Sequence, residues 1–330
     1  MISNIYIYIL NKLSNDSKKP ISDNYLNSKI LNSQIIQYII ASHKVCNNSF
    51  DVCSTKYSNI PKNLDIFTYS FPCQDLSIQG KQRGMSKDSK TRSSLLWEIE
   101  RIFIELSNNY SLDEMPKYLL MENVSQVANR KNINELRIWQ NQLKKLGYES
   151  KLYILNSKDF GLPQNRSRAF LLSISKYWLD KTNFIFPNFS YLKKNKKIKD
   201  ILSSNVSSNL FLNRLNKYET SILIKTKSNI QRKTLINYTN FNCENYIYSI
   251  NGIGPTLTAT GANSRIKIFD NENRIRYLSN LENFLYMGFD KNDYQKVVNC
   301  NLVSPQKQTF LCGNSIAVPV LEEIFKSLKF

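Results

Sequence analysis

At 330 residues, with 42% hydrophobic and 12% aromatic content, the chain can bury one large core and a smaller one, which excludes a disordered polyelectrolyte. Its 45 lysines and arginines against 26 acidic residues give a formal charge of +19. That balance points to a polyanionic partner, nucleic acid first, although a coding bias toward Asn, Lys, Ile and Tyr accounts for part of it.

Six cysteines without a Cys-x-x-Cys pair, and the single histidine His43, argue against a structural zinc site, a disulfide framework and Ser-His or Cys-His catalysis. The thiols suggest a reducing cytoplasm. Residues 2–10 are apolar but too short to span a bilayer and lack a basic leader, so they read as a strand or the tail of something missing. Residues 11–64 are polar, with helical spacing of Ile and Leu over 26–45.

Residues 65–80 organise the rest of the chain. The alternating apolar and aromatic run 65–69 predicts a buried strand, and Pro72 ends it. Cys73 therefore falls at the edge of an α/β sheet where such folds place their chemistry. A cysteine there is more often a small apolar filler, so only its company makes Cys73 a nucleophile candidate. Residues 74–84, polar with two glycines, predict a loop able to close over a substrate. An amphipathic helix is predicted over 91–106, and a strand over 117–121 that ends at Glu122-Asn123-Val124. A second helix, 133–147, stops at Gly147, and strands are predicted over 148–156 and 169–175. Between those strands, the turn-rich 159–168 carries Arg166 and Arg168. The alternation predicts a doubly wound, mostly parallel sheet.

Beyond residue 176 the texture changes. The lysine run 193–199 fits a solvated linker as well as a phosphate-facing surface. Residues 200–250 are polar and weakly periodic. Residues 252–267 combine glycines, small hydroxyl residues and a basic end, which suits close approach to a DNA groove and equally a plain hairpin turn. Residues 276–289 predict a capped helix ending in glycine. From Cys312 a turn feeds a last helix, where backbone N–H groups and Asn314 suit a small polar ligand.

Taken in order, Pro72-Cys73-Gln74, Glu122-Asn123-Val124, Gln164-Asn165-Arg166-Ser167-Arg168, the 276–289 helix and Gly313-Asn314-Ser315 resemble the cytosine-5 DNA methyltransferases. Each triplet alone is weak, but five in order are a strong signal, from about residue 60 to the end. The likeness is greatest to mollicute enzymes that methylate CpG, through runs such as Phe-Pro-Cys-Gln-Asp-Leu-Ser, Leu-Leu-Trp-Glu-Ile-Glu-Arg and Gly-Ala-Asn-Ser-Arg-Ile-Lys. The resemblance implies S-adenosylmethionine as cofactor, double-stranded DNA as partner, and neither metal nor membrane. It assigns Cys73 as the thiolate that adds to carbon 6 of a flipped cytosine, Glu122 to the ring-nitrogen and amino edge, and Arg168 to the carbonyl oxygen. Arg166 supports the loop or a phosphate. Gln79 fills the vacated space in the duplex, and Thr260, Gly261, Ala262, Asn263, Ser264 and Arg265 sit in the groove. Cofactor contacts fall to Phe71, Pro72, Leu96 and Asn314.

One departure stands out. The family opens with a strand and a Phe-x-Gly-x-Gly cofactor loop, yet the first glycine here is Gly80. The chain reads as a member that starts late, through a misplaced start, a decayed gene, or an enzyme whose missing piece a partner chain supplies; it is otherwise expected to be a monomer. The expected architecture is an N-terminally truncated α/β methyltransferase domain over 1–176, completed by 302–330, with a smaller target-recognition domain over 177–301. The rival readings are a catalytically impaired remnant that only binds DNA, and a tRNA methyltransferase on the same fold.

Overall fold

A computed structural model of the chain describes residues 41–42, 45–46, 51–72, 92–189 and 196–330. Cys73, Gln79, the 74–84 loop, the 2–10 strand and nearly all of the 26–45 helix lie outside them. The chain divides into two compact units, one over Met1–Lys151 and Leu171–Lys181, the other over Leu152–Phe170 and Thr182–Phe330. Residues 302–330, expected with the first domain, cluster in the second unit.

In the first unit, strand β1 (Ile66–Tyr69) pairs in parallel with β2 (Tyr118–Val124), in register from Ile66 opposite Tyr118 to Tyr69 opposite Met121. Residues 118–121 of β2 are all buried, the pattern of a strand covered on both faces. Helix α1 (Leu96–Asn109) turns Leu96, Ile99, Ile102, Phe103 and Leu106 inward at helical spacing. The Phe103 ring meets Phe67 edge-on at 5.2 Å and Tyr148 at 6.2 Å. Helix α2 (Ile133–Lys145) buries Leu136, Trp139 and Leu143. Its Trp139 Nε1 donates to the Tyr69 hydroxyl at 2.9 Å, and burial pushes that phenol far above its ordinary pKa. Past α2 the chain reverses at Gly147, whose φ of 83° is left-handed.

The sheet order is β1-β2-β4-β3, with β3 Tyr148–Asn156 and β4 Ser167–Ser175. Ser150 faces Ser173, while the Ser157 N–H donates to the Arg166 carbonyl, so β3 and β4 run antiparallel. The expected mostly parallel sheet is therefore mixed at this end. The ten-residue connection from 157 to 166 is too short for a parallel crossover, which needs a dozen residues or more.

The second unit holds a five-stranded sheet of order β5-β6-β7-β8-β9: Ile224–Lys225, Gln231–Thr234, Tyr246–Ser249, Lys267–Phe269 and Ile275–Tyr277. Only β7 and β8 pair in parallel. Period-two alternation sends Tyr248 and Ile268 to one core with Leu257, Phe284 and Tyr286, and Ile247 and Phe269 to another with Leu212, Leu235 and Ile275. Helix α3 (Lys176–Thr182) follows β4, and the second unit adds helices α4 (Asn280–Met287), α5 (Lys291–Asn299), α6 (Pro305–Asn314) and α7 (Val318–Lys326).

The helix expected over 276–289 begins only at Asn280. Arg276 and Tyr277 belong to β9, and a capping box, in which Ser279 and Glu282 exchange hydrogen bonds with each other's backbone N–H, starts the helix; Gly288 ends it at φ 90°. Likewise Cys312-Gly313-Asn314 is the last turn of α6, and the turn lies after it.

Glu282, fully buried, also forms a two-pronged pair with Arg276 at 2.8 and 2.9 Å and accepts from the Ser203 N–H. Replacing Glu282 by Ala should leave a buried guanidinium uncompensated, at a cost of about 3–5 kcal/mol. Urea unfolding checks this: the double variant Arg276→Met/Glu282→Leu should lose far less than Glu282→Ala, and equal losses would mean the pair does not govern this corner.

Candidate functional site

In the first unit the parallel register brings the ends of β1 and β2 to one edge. Three hydrogen bonds hold the chain there as it leaves β1. Ser70 Oγ donates to the Glu122 carbonyl at 2.9 Å, buried Asn123 Nδ2 to the Phe71 carbonyl at 3.0 Å, and buried Ser93 Oγ to the Pro72 carbonyl at 2.6 Å. The last two fix the peptide units that lead into Cys73. Asn123 Oδ1 in turn accepts from the Val124 N–H at 2.8 Å, so this amide uses both ends. Glu122 is half-buried beside it. Ser93 carried no signal in the sequence; a small hydroxyl residue at a helix start reads as a cap.

Of the expected cofactor contacts, Pro72 is half-buried and Asn314 exposed, each open to a ligand. Phe71 retains 4% exposure, and Leu96 none. The first turn of α1 points the Leu96 side chain inward, into the core with Ile99 and Phe103.

In the second unit, a polar seam joins the arginine segment to the stem of the 252–267 loop. Gln164, fully buried, accepts from the Leu257 N–H at 2.9 Å and donates to the Tyr286 carbonyl at 2.9 Å. Asn165 N–H donates to the Gly254 carbonyl, and the Thr256 hydroxyl to the Asn165 carbonyl. Arg166, 5% exposed, donates to the carbonyls of Leu257 (2.7 Å), Gly313 (3.2 Å) and Ser315 (2.8 Å). These hydrogen bonds all go to protein carbonyls, which is the loop-support role open to it. Arg168 is half-buried, with one nitrogen on the Ser167 carbonyl at 2.8 Å.

Beyond this seam the loop tip opens to solvent. Thr260, Gly261 and Arg265 are exposed, and Ala262, Asn263 and Ser264 form a half-buried turn. Gly261 adopts φ 80° with open space where a side chain would be. Arg265 lies 3.2 Å from Glu244, which also takes buried Lys267 at 2.9 Å. Burial raises the Glu244 carboxyl, but Lys267 and Arg265 outweigh it and hold the group below its ordinary pKa. The loop is thus no plain hairpin. Among the described residues no group of three His, Cys, Asp or Glu is placed to hold a metal, and no helix is long and apolar enough to cross a membrane.

Residues 19–330 match the model of the C-5 cytosine-specific DNA methylase family. The chain is 44% identical over 323 residues to the orphan methyltransferase M.SssI of Spiroplasma monobiae, covering 97% of this chain and 80% of that protein. It is 32% identical over 311 residues to the type II methyltransferase M2.ScrFI of Lactococcus lactis subsp. cremoris, covering 90% and 75%. Among solved structures, the Entamoeba histolytica methyltransferase EhMeth superposes with a TM-score of 0.58 at 16% identity, over 84% of this chain and 81% of that one. The Dnmt2 methyltransferase of S. pombe gives 0.54 at 18%, over 83% and 81%.

Gly313 tests the seam. A Cβ there would meet the backbone of Thr258 and Ala259 at 2.4–2.5 Å, whereas one on Gly261 would meet nothing. Gly313→Ala should cost about 1–3 kcal/mol through overpacking against backbone. Gly261→Ala meets no atom but forces an alanine to φ 80°, ψ −167°, a region essentially reserved for glycine, at about 1–3 kcal/mol of backbone strain. Urea unfolding measures both, and a Gly313→Ala variant as stable as the parent would remove the close approach described here.

Proposed function

The chain belongs to the C-5 cytosine-specific DNA methylase family, and from that premise we propose that it methylates cytosine in CpG through a covalent adduct on Cys73. The pinned strand exit is the observation that carries the reading. Two side chains, Asn123 and Ser93, spend buried hydrogen bonds on the carbonyls of the two residues before Cys73. Such bonds hold a nucleophile's backbone in one geometry, which is what attack on a flipped base requires.

The roles follow from the base. Carbon 5 of cytosine is a poor nucleophile. When the Cys73 sulfur bonds carbon 6, the ring's electron pair shifts to carbon 5 and makes it one. Glu122 is assigned the ring-nitrogen and amino edge, where it stabilises the protonated ring, and Arg168 the carbonyl oxygen. Gln79 is assigned the gap in the duplex, and the exposed tip from Thr260 to Arg265 the groove. CpG follows from the likeness of that tip to the mollicute enzymes. Residues 177–301 would then form the target-reading part. The free thiols suit a reducing, cytoplasmic setting, and a monomer acting on duplex DNA is the simplest assembly.

S-adenosylmethionine, the family's cofactor, supplies the methyl group. Of the residues assigned to it, Pro72 and Asn314 are open to a ligand. The rival reading is a catalytically impaired relative that binds DNA without transferring methyl.

Labelled methyl transfer from S-adenosylmethionine to unmethylated duplex separates the two, with duplex already methylated at CpG as the control. Transfer confined to the unmethylated duplex is expected, and Cys73→Ala should abolish it while duplex binding persists. Retained transfer in Cys73→Ala would sink the adduct, and binding without transfer by the unaltered chain would favour the impaired relative.

A further inference from the structure

The proposed function makes no use of the lysine run at 193–199. Two of its residues, Lys196 and Lys197, line a cavity of about 300 Å³ in the second unit together with Lys158 and Lys225. The four lysines come from three stretches of chain far apart in sequence. Asn229 and Gln231 add neutral side-chain amides, and no carboxylate lines the cavity. None of the four lysines forms an ion pair with a described residue.

The frame that brings them together is built from backbone. Ile198 N–H donates to the Gly252 carbonyl and Lys199 N–H to the Ile250 carbonyl, each at 2.9 Å, which ties the lysine run to the start of the loop stem. Gly252 lies so close to Gln231 that a Cβ would come within 2.9 Å of the Gln231 Cβ. The Lys158 N–H rests on the Asn156 side chain. Four lysines lining one concave space set like charges near one another, and an anion between them turns that repulsion into attraction. A water occupies about 30 Å³ of liquid, so the space takes a tetrahedral oxyanion with part of its hydration.

We propose that this cavity is a phosphate-binding site. The phosphate comes either from the duplex backbone, which extends the DNA-methyltransferase reading and rests on it, or from a free phosphate species. The test uses the full chain and two triple variants. One is Lys158→Ala/Lys197→Ala/Lys225→Ala at the cavity. The other is Lys144→Ala/Lys145→Ala/Lys291→Ala, which removes equal charge from exposed helix positions elsewhere.

Duplex affinity is measured across about 50–200 mM salt, and uptake of inorganic phosphate by calorimetry. If the backbone is the source, the cavity variant's log–log salt slope should be shallower by about one or more, since each lost phosphate contact removes roughly one from it. The control variant should keep the parent slope. If a free phosphate is the source, the parent should take up phosphate, the cavity variant should not, and the two slopes should agree. A cavity variant that matches the control in both measurements overturns the proposal. Methyl transfer by the unaltered chain, run in parallel, tests the enzymatic reading separately, because slope and uptake are read from binding alone.

Discussion

A guanidinium cannot give up its proton to escape a low-dielectric interior, so a buried arginine must find acceptors or destabilise the fold. Arg166 finds them on carbonyls from Leu257, Gly313 and Ser315, positions 91 to 149 residues along the chain. The second unit depends on that constraint. With Gln164 bonded to Leu257 and Tyr286, it ties the stem of the 252–267 loop to the Gly313–Ser315 turn. Gly313 must be glycine-sized for the same reason, since the Thr258 and Ala259 backbone occupies the place of its side chain. The hydrogen bonds from Gln164 and Arg166 thus fix the 252–267 loop as far as Leu257.

The first unit solves a related problem with neutral groups. A parallel pair such as β1 and β2 delivers both strand ends to one edge without aligning the loops beyond them. Alignment comes from Ser70, Asn123 and Ser93, each donating to a main-chain carbonyl of the adjacent segment.

The legibility of the sequence tracks physical range. Strands β1 and β2 and helix α2 could be read because their burial repeats with period two or 3.6 over enough residues to count. The second sheet could not. Strand β5 has two residues, and all four of β6 are half-buried, so no alternation marks them. The start of α4 was readable in principle, since Ser279 and Glu282 stand at capping-box spacing; Arg276 and Tyr277 hid it by fitting a helix as well as a strand. Leu96 shows the converse. Its motif promised a ligand contact, while its place on the inner face of α1 took it into the core. Arg166 could not have been read locally, because its acceptors are main-chain atoms that only the fold assembles.

The charge of +19 also changes meaning once burial is known. At the basic end of the 252–267 loop, Lys267 is 2% exposed and bonded both to the carbonyl and the carboxylate of Glu244, while Arg265, on the same carboxylate, is 63% exposed. One acidic residue thus removes the first cation from the surface and leaves the second able to exchange Glu244 for a nucleic-acid group. Arg166 and Arg276 are likewise spent inside the protein. The motif arginines and the loop lysine contribute less to the attraction of DNA than a count of charges implies. Among the cations that keep their surface are Arg265 at the tip of the 252–267 loop and the four lysines around the cavity, while Lys267, Arg166 and Arg276 are held inside the protein.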